Sequence, residues 1–223
     1  VKVCGVRRVE DARLAVALGA GWIGCVRAVD SPRRATLREV AAIRRGVDGK
    51  AGVVLVGRSR PGENGEVATA LVREAKRVGA VAVQIHGASR AALARLRDAG
   101  LVVWKVISLA RGATRLPRSL RTSTVVRSPV LLDVGAGGSG TPFDWRLLGR
   151  VAPPRLWIAG GITPANVGEL LEHDPFGIDV SSGVEVAPGI KDARRLRKLF
   201  AAIDASNARN TSNTSDEDQE NET

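Results

Sequence analysis

With 223 residues, 44% of them apolar, the chain can fill one large domain or two small ones. Two cysteines, Cys4 and Cys25, exclude a disulfide framework and a structural zinc site, which takes about four clustered ligands, and they fit a reducing compartment. No apolar run approaches the ~20 residues of a membrane span, and no charged-then-apolar leader precedes the first strand, so a cytoplasmic protein with no membrane partner is predicted. The net charge of +11 is uneven: residues 204–223 hold six acidic side chains and one Arg, leaving 33 basic against 17 acidic before them. Such a body attracts anions. Three Phe, four Trp, no Tyr and an Arg complement scattered along helices argue against a nucleic-acid partner.

In chain order, β-branched runs alternate with Ala/Leu/Arg segments of helical period. "VKVCGV" (1–6) opens as a strand, followed by the helix "VEDARLAVAL" (9–18). "WIGCVRA" (22–28) is the second strand, and "TLREVAAIRR" (36–45) the second helix. Strand "AGVVLVG" (51–57) then precedes helix "EVATALVREAKRV" (66–78), and "AVAVQIHG" (80–87) precedes "SRAALARLRDA" (89–99). After "LVVWKVIS" (101–108) the segment 110–126 is a poor helix, interrupted by Gly112 and Pro117. "PVLLDVG" (129–135), "RLWIAGG" (155–161) and "GIDVSS" (177–182) are the last three strands, and "KDARRLRKLFAAI" (191–203) the closing helix.

Eight strand–helix units predict an α/β fold, a closed parallel (β/α)8 barrel over residues 1–203, with active groups at the C-terminal ends of the strands. An open doubly wound sheet is the alternative, but its glycine fingerprint after the first strand is absent. Residues 204–223, polar and without apolar period, read as a disordered tail.

Side chains two apart on a strand share a face. Lys2 pairs in this way with Cys4, Gln84 with His86, and Asp179 with Ser181, while Lys105 and Asp133 interrupt apolar strands near their expected C-terminal ends. Isolated buried polar groups cost a few kcal/mol each, so a ring of them predicts a wet pocket, with Lys2 and Asp179 the deepest, structural pair. Gly160 and Gly161 before a helix expected near Thr163 and Pro164, and Ser181, Ser182 and Gly183 after the last strand, offer backbone N–H groups to a phosphate. A phosphorylated small molecule is the predicted partner. Gly138 and Gly140 suggest a flap. Cys25 reads as a core residue and His173 as helix-end surface.

Taken in order, "KVCGV", "SPRRAT", "VQIHG", "LLDVGAGGSGTPFDW", "IAGGITPANV" and "IDVSSGVEVAPGIKD" resemble the phosphoribosylanthranilate isomerases of tryptophan biosynthesis, over Val1 to Ile203. The resemblance implies an Amadori rearrangement of N-(5-phosphoribosyl)anthranilate to the open-chain deoxyribulose phosphate, with no metal or organic cofactor. It implies Cys4 as general base, Asp133 as general acid and Arg33 as the partner of the anthranilate carboxylate. Gly160, Gly161, Ser181, Ser182 and Gly183 would border the phosphate, with Asp179, Gln84 and His86 in support. Chemistry then asks for a protonated Asp133 and an ionised Cys4, with Lys2 the expected source of positive charge. Arg7, Cys25, Arg27 and the missing asparagine at the end of strand three depart from the family pattern. Two other readings compete: a different phosphosugar barrel enzyme, and a silent basic barrel that binds a polyanion. The sequence does not indicate an oligomeric state.

Overall fold

The computed structural model describes residues 1–117, 120, 129–134, 142–149 and 155–220. Eight parallel strands close in sequence order: β1 (Lys2–Val3), β2 (Trp22–Val26), β3 (Gly52–Arg58), β4 (Ala82–His86), β5 (Val102–Leu109), β6 (Val130–Val134), β7 (Leu156–Ala159) and β8 (Gly177–Val180). Pairing of Lys2 with Asp179 and of Val3 with Val180 closes the ring, so no edge strand is left in the barrel. Six α-helices lie among the described residues: α1 (Val9–Ala17), α2 (Leu37–Gly46), α3 (Asn64–Val78), α4 (Arg90–Asp98), α5 (Val167–Leu171) and α6 (Ala193–Glu220). A short antiparallel hairpin, β9 (Glu185–Ala187) and β10 (Ile190–Lys191), follows β8.

Local chemistry sets the helix ends. Thr36 and Glu39 form a reciprocal capping box on α2, Ser89 caps α4, and Gly79 at φ +68° closes α3 in the left-handed region. Alternation then sorts the strands: Val3, Ile23, Leu55, Val83, Leu132, Ile158 and Ile178 face the helices in the main core. Cys4, Val26, Val54, Ala82, Trp104, Leu131, Trp157 and Ala159 form a second cluster inside the barrel.

Three expectations change. Lys105 lies in the middle of β5, paired with Ile85 and Val130, and beside inward Trp104 it takes the outward alternation. The helix after β7 starts at Val167, because Asn166 folds back to accept from the Thr163 N–H and to donate to the Gly161 carbonyl. The closing helix runs on to Glu220, where a disordered tail was expected from Asp204. Leu196, Leu199, Phe200, Ile203 and Ser206 continue one buried stripe, with Ser206 against Gly168 of α5, so packing passes the expected boundary by one turn. The expected fifth-helix segment lies mostly, and the glycines 138 and 140 entirely, outside the described residues.

Candidate active site

The C-terminal ends of the strands surround an open cavity. Cys4, Arg33, Gln84, His86, Asp133, Gly160, Gly161, Asp179, Ser181 and Ser182 all line it. Gly183, predicted to border the phosphate, does not. A Cβ there would stand 1.9 Å from the Ile162 carbonyl oxygen, so a bare Gly183 lets the turn after β8 pack on the turn after β7. Gly160 and Gly161 take φ of +96° and +68°, which re-aims the backbone just after β7.

Cys4, just past the end of β1, and Asp133, on β6, sit three strands apart around the closed sheet. The Cys4 N–H bonds to the Val180 carbonyl at 2.8 Å, fixing the residue beyond the short β1. Opposite it, a Cβ on Gly24 would approach the Cys4 sulfur to 2.8 Å, so the glycine in β2 leaves the thiol its seat. Asp133 packs against Gly160, whose added Cβ would lie 3.2 Å from the Asp133 Oδ1. Burial, reinforced by the Asp179 carboxylate, pushes the Asp133 carboxyl up to about 7. That keeps a useful fraction of it protonated near neutrality.

Lys2 does pair with Asp179, at 2.6 Å and fully buried. Burial pulls the ammonium down, but the ion pair with Asp179 outweighs it, so Lys2 stays charged. The expectation that this charge ionises Cys4 needs revision. Desolvation raises the thiol above its ordinary value, and Lys2 and Lys191 offset only part of that rise. His86 lies 3.1 Å from the Gln84 amide and burial lowers it to about 4, so it is neutral and offers no charge to a phosphate. Cys25 faces the helices, with its thiol pushed up to about 12, and is an inert core residue.

Arg33 is not a lone loop cation. Its Nε and Nη2 grip buried Glu185 at 2.8 to 3.1 Å, and Glu185 also accepts from Lys191 Nζ at 2.8 Å and from the Gly189 N–H at 3.1 Å. Sequence reading gave neither Glu185 nor Lys191 a role, although they are cross-strand partners in the hairpin and the only signal was a charge at each end of "EVAPGIK". Arg58, at the end of β3, is a further lining residue that was missed. The departures at strand two stand outside the cavity. Arg27 turns to Glu74 of α3 in a bidentate pair at 2.8 and 2.9 Å, and Arg7 pairs with Glu39 on the rim.

A closed parallel barrel that gathers a thiol, a carboxyl, an anchored guanidinium and two tight turns at its C-terminal rim is a (β/α)8-barrel enzyme. Residues 1–202 match the family model described as N-(5'phosphoribosyl)anthranilate (PRA) isomerase. An N-(5'-phosphoribosyl)anthranilate isomerase of Rubrobacter xylanophilus is 36% identical over 215 residues, covering 91% of this chain and 97% of that protein. The crystal structure of the phosphoribosyl anthranilate isomerase from Thermus thermophilus superposes with a TM-score of 0.79 at 31% identity, over 92% of this chain and 98% of the other. A phosphoribosyl anthranilate isomerase in complex with reduced 1-(o-carboxyphenylamino)-1-deoxyribulose 5-phosphate gives 0.74 at 26% identity, over 92% and 97%. The chain belongs to the phosphoribosylanthranilate isomerase family and is an isomerase of tryptophan biosynthesis. Among the described residues no helix is long and apolar enough to cross a membrane.

Proposed function

We propose that this site carries out the Amadori rearrangement of N-(5-phosphoribosyl)anthranilate with Asp133 as general acid and Cys4 as general base. The observation that carries the reading is the convergence of both groups, Arg33 and the two phosphate turns on one cavity. The phosphate lies against the turns holding Gly160, Gly161, Ser181 and Ser182, where backbone N–H groups meet the anion. Gly183 acts at one remove, by letting those turns meet. The anthranilate carboxylate meets Arg33.

Asp133 gives its proton to the ribose ring oxygen as the bond from that oxygen to C1′ breaks, and the nitrogen lone pair forms the iminium. The cation acidifies the C2′ proton, which the Cys4 thiolate removes. The resulting enolamine takes a proton at C1′ and gives up the proton of its C2′ hydroxyl, which makes the ketone with no net gain of protons. One acid and one base suffice, each contributing on the order of 10²- to 10⁴-fold.

Raised values for both groups have a consequence for pH. Work needs the minor form, with Asp133 protonated and Cys4 ionised, and the populations of the two titrate together. Below about 7 the acid stays protonated while thiolate grows roughly tenfold per pH unit, so the rate climbs. Above 7 the acid is lost as fast as thiolate is gained. The rate then levels until the thiol itself titrates.

Turnover of freshly made phosphoribosylanthranilate by the purified protein, with rescue of a tryptophan auxotroph, tests the reading. Normal turnover by a Cys4→Ala, Asp133→Val double variant would sink the mechanism.

A further inference from the structure

We infer that Glu185 and Lys191 are positioning residues that hold the substrate's two anion anchors, Arg33 and the turn after β8, at a set separation. The inference rests on the substrate reading given above. Lys191 Nζ donates to the Ser181 carbonyl at 3.2 Å and to Glu185 Oε1 at 2.8 Å, and Glu185 Oε2 takes Arg33 Nε and Nη2 at 3.0 and 2.8 Å. One unbroken relay therefore runs from the phosphate turn to the carboxylate anchor. Both ends also close on Gly5: a Cβ there would lie 2.8 Å from Arg33 Cδ and 2.9 Å from Ser181 Oγ, so only a bare glycine leaves room for both.

The relay has little slack. Glu185 and Lys191 are cross-strand partners in the β9–β10 hairpin, with 6% and 3% of their surface exposed. From outside, the Lys191 N–H bonds to buried Asp11 at 3.0 Å, Arg8 holds Asp11 at 2.6 and 2.9 Å, and the Arg195 guanidinium donates to the Glu185 carbonyl. α1 and α6 thus clamp the hairpin, and the hairpin aims the anchors. An apolar pair would fill the same volume without the several kcal/mol that desolvating two ions costs, so stability alone gives no reason for charge here. Geometry does. Arg33 spends two of its nitrogens on Glu185 and still lines the cavity, which orients the guanidinium before substrate arrives.

A positioning role makes a prediction that a charge effect does not. Phosphoribosylanthranilate engages both anchors at once, whereas inorganic phosphate or anthranilate engages one. The charge-neutral double variant Glu185→Gln, Lys191→Met is expected to raise KM for phosphoribosylanthranilate about tenfold, with kcat within about threefold of wild type. Calorimetric affinities for inorganic phosphate and for anthranilate, each alone, should move by less than about threefold. Should that variant fail to fold, Glu185→Asp keeps both charges on a shorter arm and is expected to raise KM about fivefold. An unchanged KM in either folded variant overturns the inference, as does a loss of phosphate affinity as large as the KM effect. Wild-type protein that does not isomerise phosphoribosylanthranilate overturns the substrate reading instead.

Discussion

The two halves of the barrel interior are built from the same inward-facing strand positions and do opposite things. Toward the N-terminal ends, Trp104 packs edge-to-face with Trp22 at a centroid distance of 5.3 Å and tilted against Trp157 at 4.6 Å, and Lys2 Nζ lies 5.7 Å from the Trp104 ring. Gly52 and Gly177 leave room for the two outer indoles, since a Cβ there would come within 2.3 and 2.7 Å of them. Toward the C-terminal ends, the same faces carry Cys4, Gln84, Asp133 and Ser181 around an open cavity. The dry floor is part of the chemistry. Burial above that floor, with the Asp179 carboxylate beside it, raises Asp133 to about 7, and burial raises the Cys4 thiol, whereas a solvated aspartate would stay near its free value of about 3.9.

The comparison breaks most sharply at the rim. Asp133→Asn and Cys4→Ala should each lower kcat by on the order of 10²- to 10⁴-fold while the protein still melts cooperatively, as steady-state kinetics and calorimetry would show. At the floor, Trp104→Ala should leave the catalytic groups in place but cost about 3–5 kcal/mol of stability by urea unfolding. Water admitted into that cavity should also lower the Asp133 midpoint.

Asp133 binds its proton more tightly folded than unfolded, so its contribution favours the fold at low pH and is lost as pH rises through about 7. Asp133→Asn should accordingly be inactive yet more stable than wild type at pH 8, by about 1–3 kcal/mol, a gain that shrinks toward pH 5. The smallest effect belongs to the thiol's seat. Gly24→Ala, whose Cβ would press on the Cys4 sulfur at 2.8 Å, should lower kcat/KM roughly tenfold and change the rate at which iodoacetamide alkylates Cys4. Unchanged kinetics would mean that the seat relaxes.

Much of this was legible in the sequence because it depends on local period. Strand alternation alone turns Cys4, Gln84, Asp133 and Asp179 inward, and the glycine and serine clusters mark the turns after β7 and β8. Glu185 was not legible as the holder of Arg33, since the two stand 152 residues apart and nothing in the periodicity of either segment signals the pair. The thiol's direction was missed for a related reason: its burial comes from residues of distant strands, Val26, Trp104 and Trp157 among them, which share its cluster inside the barrel. At "TPAN" a helix start was expected, but the Asn166 side chain makes a turn of that stretch. At the other end of the chain, polar composition hid the helical stripe that carries Ser206 into the packed layer.

The direct test of the floor-and-rim account is the protonation of Asp133 itself. Carbon-13 NMR titration of the aspartate carboxyls, with the Asp133 signal assigned from its absence in Asp133→Asn, should show a midpoint near 7 in wild-type protein. A midpoint near the free value of about 4 would contradict the account, because Asp133 would then hold almost no proton at neutral pH to give to the ribose ring.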